Sequence, residues 1–563
     1  MRAARVLIVV ALVIAASPSA FAQVDAESPA GAGTPVASPT VDAPVDLTGV
    51  TPLPLEGQRR AALAAFITNA MRACPVPGLS VAVVQNGEVV FLEGFGVRQL
   101  DRPEAVTPDT LMRIGSVTKS MTTMLAAALV DAGWVDWDSR AVDLLPGFAL
   151  SDPARTAQVT LADLFSAASG LPRRDVEFIF ESDAYSPAGL IEAVRRLPLT
   201  APLGARYQYS NQAFGLGGYA AALAAGASPD DLLGGYIVAM QQHVLNPIGM
   251  ERSTFDLHEV LESGDYAAPY APDLTGTPQP VSLLAEDRFT AAVAPAGAMW
   301  STARDLARFL QTELAGGVTP DGARVVSVEN LERTWQPGVA VPPNPQLPPI
   351  VSTGIAHYGL GWYTGEYGGL ELISHSGGTY GFAAEVAFLP EADLGIAVLA
   401  NDPVCGAILA YATQYRLFEI VFDQEPAVEA ELGAFLEAVA AQRAAAAVLL
   451  GTIDPSAVAP FLGRFAHPAL GEIELRMRDG DLLIDAGEIR SRLAPLRGLP
   501  GQPTRYVALD PPMSLAPAWL TFEEAGSQWR PVLTVIPDPG EEPLIYPFTR
   551  VDAEGQALAT PAA

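Results

Sequence analysis

Two groups of short apolar runs, each typical of β-strands, lie far apart along this chain. In the first group, residues 79–85 and 88–93 are joined by Asn86-Gly87, a dipeptide that favours a two-residue hairpin turn. The second group comprises residues 371–376, 383–389 and 395–400. Because mostly helical patterns lie between the groups, we predict one antiparallel sheet closed by both ends of this segment, with a helical insertion in the middle.

The predicted helix over residues 116–132 is nearly free of charge. It is rich in Met, Leu and Ala, and Gly115 and Gly133 flank it, which is typical of a buried helix. Further helical patterns cover residues 58–72, 161–165, 212–225, 303–314 and 407–422.

The pattern changes after residue 422. An acidic, alanine-rich helical stretch is followed by short alternating strands, among them residues 471–478 and 482–486 around the turn Asp479-Gly480. We predict a helical connector at 425–452, with a surface helix of the main domain as the alternative. A small, barrel-like β domain is predicted over 453–563.

The chain begins with the layout of a secretory signal. Arg2 and Arg5 precede an apolar run and the cleavage pattern Ala20-Phe21-Ala22. We predict a signal peptide at 1–22, export to the periplasm or the extracellular space, and a disordered linker at 23–55. Apart from an uncleaved N-terminal anchor as the alternative, no stable membrane anchor is expected, since no later uncharged, proline-free apolar run approaches eighteen residues.

The remaining sequence is half apolar, enough for a large core, and we place the main domain at 56–424. The formal net charge of −30 argues against nucleic acid as a partner, because both would be anionic.

The chain has two cysteines, Cys74 and Cys405. Cys74 follows the first predicted helix of the main domain and Cys405 precedes its last. In an exported protein an even number of cysteines favours a disulfide, and two buried free thiols are the alternative.

Lys119 is the only lysine among 563 residues. A lysine can lose its proton when it is buried or near positive potential, whereas arginine stays protonated. Ser116 lies three residues earlier, so both side chains would share one helix face near the helix N-terminus. This spacing predicts a nucleophile with its general base, and the alternative is a capping serine beside a solvated lysine.

A hydrolase also needs a proton donor for the leaving group and N–H donors for the oxyanion. We expect Tyr209, with its pKa lowered by a nearby cation, to serve the first need and to face the cleft together with Asn211. The stretch His375-Ser376-Gly377-Gly378 is expected to serve the second, with the Gly378 and Ser116 backbone N–H groups forming an oxyanion hole.

In this order, Ser116-x-x-Lys119, Tyr209-x-Asn211 and His375-x-Gly377 resemble the three motifs of the serine β-lactamase and penicillin-binding-protein superfamily. The closest branch is the class C β-lactamase-like group of esterases, D-aminopeptidases and DD-peptidases. The resemblance implies an α+β fold, an antiparallel sheet sandwiched by helices with an inserted helical subdomain. It also implies Ser116 as acylated nucleophile, Lys119 as base, Tyr209 assisting proton transfer, and neither metal nor organic cofactor.

The third motif departs from the family pattern. Enzymes of this family that bind a carboxylate usually carry lysine where this chain has His375, and a neutral imidazole is a weaker anion anchor. We therefore expect an esterase or D-amino-acid peptidase acting on a small ester, amide or peptide. A true β-lactamase and a non-catalytic wall-binding or sensor protein are the alternatives. A third interpretation is that the C-terminal β domain carries the function and the large domain is its carrier.

Other motifs do not add chemistry. The remaining histidines show no metal-ligand spacing, and no G-x-S-x-G nucleophile elbow occurs. The glycines of Gly215-Leu216-Gly217-Gly218 are interpreted as a site of close helix packing.

Overall fold

A computed structural model describes residues 45–180, 186–343, 354–497, 503–526, 528–537, 542–552 and 556. The predicted signal peptide and the linker up to residue 44 lie outside these residues.

The main domain is built on an eight-stranded antiparallel sheet with the strand order β2-β1-β12-β11-β10-β9-β8-β7. The first group of strands joins the last one, as predicted: β1 runs antiparallel to both β2 and β12. The strands of this domain are β1 Gly78–Gln85, β2 Glu88–Gly96, β3 Met112–Arg113, β4 Tyr270–Pro272, β5 Pro278–Pro280, β6 Trp300–Ser301, β7 Val339–Ala340, β8 His357–Tyr358, β9 Tyr363–Tyr367, β10 Leu370–Gly378, β11 Ala383–Leu389 and β12 Leu394–Ala400.

Helices cover both faces of this sheet, and most of them belong to the segment between β2 and β7. The described helices of the whole chain are α1 Gly57–Ala73, α2 Thr118–Asp131, α3 Ala141–Leu144, α4 Pro153–Thr156, α5 Leu161–Phe165, α6 Asp175–Phe180, α7 Pro187–Arg196, α8 Asn211–Ala224, α9 Leu232–Met240, α10 Asn246–Ile248, α11 Leu257–Ser263, α12 Leu283–Ala291, α13 Ala294–Gly297, α14 Ala303–Leu314, α15 Val328–Trp335, α16 Cys405–Val421, α17 Ala427–Leu449 and α18 Pro455–Val458.

Alternate side chains of β1 enter two different apolar cores, as the two-residue period of a strand requires. Ala82 and Val84 join the larger core with α2, α8 and α14. Leu79, Val81 and Val83 join a second core with α1 and α16. The sheet is therefore sandwiched by helices, which confirms the predicted fold.

The predicted glycine-rich packing site lies on α8. A methyl group added at Gly217 would lie 2.5 Å from the Phe165 ring, and one at Gly218 would lie 2.2 Å from Pro295. These glycines let α8 approach α5 and α13 closely, so their function is structural.

The prediction of a disordered linker up to residue 55 is wrong for its last part. The Leu47 N–H donates to the Gly368 carbonyl at 2.7 Å, and the Leu53 N–H donates to the Val421 carbonyl at 2.7 Å. Leu47 and Leu55 are buried in the second core. Single leucines spaced this widely give no periodic pattern, so sequence periodicity did not reveal the segment.

The two cysteines are joined in a disulfide between Cys74 and Cys405, with Cα atoms 5.5 Å apart. The bond links the residue after α1 to the first residue of α16. It therefore ties the first long helix of the main domain to its last.

The C-terminal strands form a nine-stranded antiparallel sheet that is nearly closed, because β21 pairs with β13 directly after β20. The Asp479-Gly480 turn joins β14 to β15 as predicted. We call this sheet the barrel. Its strands are β13 Gly463–His467, β14 Gly471–Arg478, β15 Asp481–Asp485, β16 Arg490–Pro495, β17 Tyr506–Ala508, β18 Ala518–Ala525, β19 Gln528–Val535, β20 Leu544–Pro547 and β21 Thr549–Arg550.

Helix α17 is long and apolar enough to cross a membrane by length and composition only. Glu437 and Arg443 interrupt it, so it is not an uncharged apolar run. Val428 and Val439 are buried against the rest of the protein, and the Arg443 guanidinium packs beside Gly276 in the turn between β4 and β5. These contacts are those of a surface helix that borders the main domain.

A buried carboxyl in α14 makes the stability of the main domain depend on pH. Burial raises the pKa of Glu313 to about 8, and the nearby Trp335 indole offsets this only in part. Between pH 4.5 and about 8 the folded protein therefore binds more protons than the unfolded chain. Stability is present in full below this window and is lost as the pH rises through it, by up to about 1.4 kcal/mol per pH unit.

We expect Glu313→Gln to remove this dependence, because an amide of the same size does not titrate. Urea unfolding at pH 5, 6.5 and 8 measures the slope. Glu262→Gln, at an exposed site on α11, is the matched control and should retain the wild-type slope. Equal slopes in wild type and Glu313→Gln would contradict the prediction.

Candidate active site

Ser116 lies in a tight turn between β3 and α2. Gly115 opens this turn with φ +51°, a left-handed conformation that glycine adopts without strain, and residues Gly115–Val117 form one 3₁₀ turn. Within the stretch from Leu111 to Ser120, Ser116 is the residue that retains partial exposure. Its hydroxyl is therefore reachable from solvent while its neighbours are buried.

Lys119 lies one turn further along and contacts three oxygen atoms. Its Nζ is 3.0 Å from Ser116 Oγ, 2.8 Å from Asn211 Oδ1 and 2.6 Å from the Ala296 carbonyl. The predicted proximity of Ser116 and Lys119 is thus present. The Ala296 carbonyl belongs to α13 and had no signature in the sequence beyond the neighbouring Gly297.

The surroundings of Lys119 favour a neutral amine. The residue is 0% exposed, and this burial lowers its pKa well below 10.5. The charge of Asp175 raises the pKa in part, and the charge of Arg173 adds a smaller lowering than burial does. A neutral amine has two N–H bonds and one lone pair. The Ala296 carbonyl and Asn211 Oδ1 can each only accept a hydrogen bond, so they take up the two N–H bonds of the amine. The lone pair is consequently left for the Ser116 hydroxyl.

Asn211 is held in this orientation by a carboxylate that sequence reasoning missed. Its Nδ2 donates to both oxygens of Asp175 at 3.0 Å, which leaves Oδ1 for Lys119. Arg173 Nε donates to Asp175 Oδ2 at 2.6 Å, and the Arg173 guanidinium lies 5.5 Å from the centre of the Tyr209 ring. Neither Arg173 nor Asp175 belongs to any of the three sequence motifs, so no local pattern pointed to this carboxylate.

Tyr209 lies beside the amine, with its ring centre 4.7 Å from Lys119 Nζ. The expectation of a lowered phenol pKa is wrong. Burial raises the pKa of Tyr209 well above 10, Tyr363 adds to this, and a hydrogen bond with Ser116 and the charge of Arg173 offset it only in part. The phenol therefore stays protonated, as a hydrogen-bond donor.

His375 lies on β10 and is 1% exposed. Its Nδ1 is 2.6 Å from the Ser376 carbonyl, which can only accept, so Nδ1 carries the hydrogen. Its Nε2, 3.0 Å from the Tyr358 hydroxyl, then accepts from that hydroxyl. Burial and the neighbouring Lys119 lower the pKa of His375 to about 3, so the imidazole is neutral at working pH.

Ser376 does not face the site with His375. Neighbouring residues of a strand point to opposite faces, and the Ser376 hydroxyl bonds Tyr411 of α16 on the far side of the sheet. The Ser376 side chain therefore points away from Ser116 and Lys119, and the part predicted for Ser376 in the oxyanion segment falls to its backbone.

The end of β10 touches the Ser116 turn through backbone atoms. A methyl group added at Gly377 would lie 1.9 Å from the Ile114 carbonyl oxygen and 3.0 Å from the Ser116 nitrogen. One added at Gly115 would lie 2.6 Å from the Gly378 nitrogen. The backbone N–H groups of Ser116 and Gly378 thus belong to segments in direct contact, which is a condition for the predicted oxyanion hole.

Within the described ranges, no group of three or more His, Cys, Asp and Glu side chains is arranged to hold a metal ion. The chemistry that these residues support is nucleophilic attack by a hydroxyl whose proton a neighbouring amine accepts.

Comparison with known proteins agrees with this chemistry. A family model described as Beta-lactamase matches residues 63–417. The unguisins hydrolase ungD' of Aspergillus campestris is 30% identical over 62% of this chain and 63% of its own length. Penicillin-binding protein 4 of Amycolatopsis lactamdurans is 27% identical over 63% of this chain and 88% of its own length. The chain thus spans less than two thirds of the length of the unguisins hydrolase that it matches.

A solved structure shares the fold beyond the limits of the family match. The octameric penicillin-binding protein homologue from Pyrococcus abyssi has a TM-score of 0.55 at 21% identity, and the match covers 87% of this chain and 99% of that one. The family match over most of the chain and the hydrolases among its relatives lead to one conclusion: this protein belongs to the β-lactamase family of serine hydrolases.

Proposed function

We propose that this protein forms an acyl-enzyme on Ser116 with Lys119 as its general base, and that its substrates are small esters or amides of D-amino acids. The observation that carries the proposal is the buried lysine whose two other neighbours can only accept hydrogen bonds. A lone pair directed at a hydroxyl 3.0 Å away is what general-base catalysis needs.

In the acylation step, the Ser116 hydroxyl passes its proton to Lys119 Nζ as its oxygen attacks the substrate carbonyl carbon. The carbonyl π-bond opens, and the resulting oxyanion accepts hydrogen bonds from the Ser116 and Gly378 N–H groups. Since the amine starts neutral, it becomes an ammonium in this step and holds the proton for the leaving group.

As the oxyanion re-forms the carbonyl π-bond, the bond from the carbonyl carbon to the leaving group breaks, and the leaving group departs with that proton. The Tyr209 hydroxyl bonds Ser116 and stays protonated, so it can donate its hydrogen to the leaving oxygen or nitrogen and be reprotonated from Lys119. Water then attacks the acyl carbonyl carbon and gives a proton to Lys119. The bond from that carbon to Ser116 Oγ breaks, Lys119 returns the proton to Oγ, and the acid is released with Ser116 restored.

The state of His375 supports the choice of substrate. A neutral imidazole with both nitrogens engaged by Tyr358 and by its own strand offers no permanent charge to a substrate carboxylate. Arg173, beside Tyr209, has its charge balanced by Asp175. A site with this charge pattern favours a substrate without a carboxylate next to the reacting carbonyl.

A comparison of three substrates tests this choice. We expect measurable turnover of a short-chain p-nitrophenyl ester or a D-amino-acid p-nitroanilide, and slower turnover of nitrocefin. Ser116→Ala measures the background for each. Rapid nitrocefin hydrolysis with an inert ester and anilide would identify a true β-lactamase instead.

Intact-mass analysis after reaction with a fluorophosphonate tests the acyl-enzyme itself. We expect one adduct, located at Ser116 and absent in Ser116→Ala. A folded protein that gains no adduct would support the non-catalytic alternative.

We also propose that the protein acts outside the cytoplasm. The arrangement of residues 1–22 and the disulfide between Cys74 and Cys405 support export, because disulfides persist in oxidising compartments. Fractionation of expressing cells should place the mature protein in the periplasm or the medium, and recovery in the cytosol at full length would contradict this.

A further inference from the structure

Helix α6 makes polar contacts on the active-site side through its first residue. Asp175 accepts both hydrogen bonds of the Asn211 amide group and the bond from Arg173. Asn211 in turn contacts Lys119. The position of α6 therefore decides how the Asn211 amide is turned.

The same short helix bonds the barrel two residues later. The Tyr546 hydroxyl, on β20, donates to Glu177 Oε1 at 3.1 Å and accepts from Arg174 Nη1 at 3.2 Å. Glu177 is 5% exposed and Tyr546 is 4% exposed. The bonds are thus shielded from water, which strengthens them.

Apolar packing holds α6 from the barrel side as well. Val176 belongs to the core of the barrel, and Val176 and Phe180 line a cavity with barrel residues that include Leu493, Leu520 and Leu533. A helix of six residues has too few hydrogen bonds to be stable alone. The surfaces packed against α6 must therefore fix its place.

We propose that the barrel is a positioning element of the active site, acting through α6 so that Asp175 orients Asn211 around Lys119. This inference rests on the proposed function of Ser116 and Lys119. Tyr546 and Glu177 are positioning residues in this arrangement, since they touch neither the nucleophile nor its base among the described contacts.

The charge of Asp175 provides a readout that structural support alone would not change. Asp175 raises the Lys119 pKa. We expect Asp175→Asn, which keeps an acceptor for Asn211 but removes the charge, to move the rising limb of the pH profile of Ser116 labelling to lower pH. An unshifted profile would show that Asp175 does not act on Lys119.

The barrel contact is tested in the full-length protein with Tyr546→Phe, which removes one hydroxyl. We expect the rate of fluorophosphonate labelling at Ser116 to fall about 10-fold. The melting temperature of the variant should stay well above the assay temperature of about 25 °C, so that the protein is folded when the rate is measured. Tyr506→Phe is the matched control: its ring lines the same cavity as Val176 and Phe180 and is kept, while the phenol hydroxyl that is removed makes no described bond to α6, so its labelling rate should equal that of wild type.

A double-mutant comparison separates transmission through Asp175 from general loosening. If the barrel acts through Asp175, Tyr546→Phe should have little further effect in an Asp175→Ala background, because Asp175→Ala removes the acceptor of the Asn211 amide and so interrupts the same chain of contacts. Multiplicative effects in the double variant would overturn the proposal, and so would a wild-type rate in Tyr546→Phe.

A second variant covers the case in which Tyr546→Phe does not fold. Glu177→Gln weakens the same bond from the α6 side, and it should reproduce the slower labelling; a wild-type rate would also overturn the proposal. Failure of the proposed function itself looks different, because the wild-type protein would then gain no adduct at Ser116.

Discussion

Fluorophosphonate labelling of Ser116 should be about 10²- to 10⁴-fold slower in Lys119→Met than in wild type, because this is the range over which a general base contributes to rate. Methionine has nearly the length of lysine and no basic atom, so it fills the space beside Ser116 without accepting a proton. The Ala296 carbonyl and Asn211 Oδ1 lose a donor, which costs stability, but the cost of burying an amine is removed as well. We therefore expect a folded protein, checked by circular dichroism and thermal unfolding.

Lys119→Arg is the sharper variant on chemical grounds. A guanidinium keeps the positive charge and cannot give up its proton, so an electrostatic role would survive the change while a general-base role would not. Substantial labelling in both variants, with both proteins folded, would exclude Lys119 as the base.

The pH dependence of labelling follows from the same group. Because burial lowers the Lys119 pKa well below 10.5, the neutral base is present in the folded protein at a pH where an ordinary lysine is protonated. Labelling should rise with pH through this lowered pKa and then stay level. His375 has a pKa of about 3, so its titration adds no rising or falling part to the labelling profile near neutral pH. A midpoint close to 10.5 would show that Lys119 is solvated and ionised.

The contribution of Lys119 to stability changes with pH in the opposite direction to that of Glu313. Between the lowered pKa of Lys119 and 10.5 the unfolded chain binds one more proton than the folded protein, so this group stabilises the protein increasingly as the pH rises. Lys119→Met removes that contribution. The difference in unfolding free energy between wild type and variant should therefore shift in favour of wild type toward high pH.

The parts of the site that the sequence predicted are those set by local geometry. Ser116 and Lys119 are three residues apart on one helix, and that spacing alone brings Oγ and Nζ together. Asn86-Gly87 forms the predicted turn, with Asn86 at φ 52° and Gly87 at φ 73°. In both cases the residues that interact are close in the chain, so their conformational preferences suffice.

The missed parts depend on contacts between distant segments. Asp175 meets Asn211 across 36 residues, and Tyr546 meets Glu177 across 369. No periodicity or turn preference encodes such pairs. The error on Tyr209 has the same origin, because a phenol pKa depends on burial and on partners such as Tyr363 that come from another part of the chain.

Gly377→Ala should slow labelling of Ser116 by at least about 10²-fold, the effect of losing one oxyanion donor. Its new methyl group would lie 1.9 Å from the Ile114 carbonyl oxygen, far inside contact distance, and both groups belong to backbone that cannot rotate away. The Ser116 turn must then move off β10, which separates the Ser116 N–H from that of Gly378. We also expect a loss of about 1–3 kcal/mol of stability from the overpacking.

Gly395→Ala is the matched control, since Gly395 is also buried in a strand of the main sheet. A methyl group there would lie 3.0 Å from Leu310 Cδ2 and 3.4 Å from Leu314 Cδ1, the tips of side chains that can turn aside. We expect Gly395→Ala to keep the labelling rate within about 2-fold of wild type, because the change is distant from the Ser116 turn. If Gly377→Ala is folded and labels as fast as Gly395→Ala, the contact between β10 and the Ser116 turn does not shape the oxyanion hole. A slow Gly377→Ala beside a normal Gly395→Ala would place the effect at that contact, because both variants add the same methyl group to the same sheet.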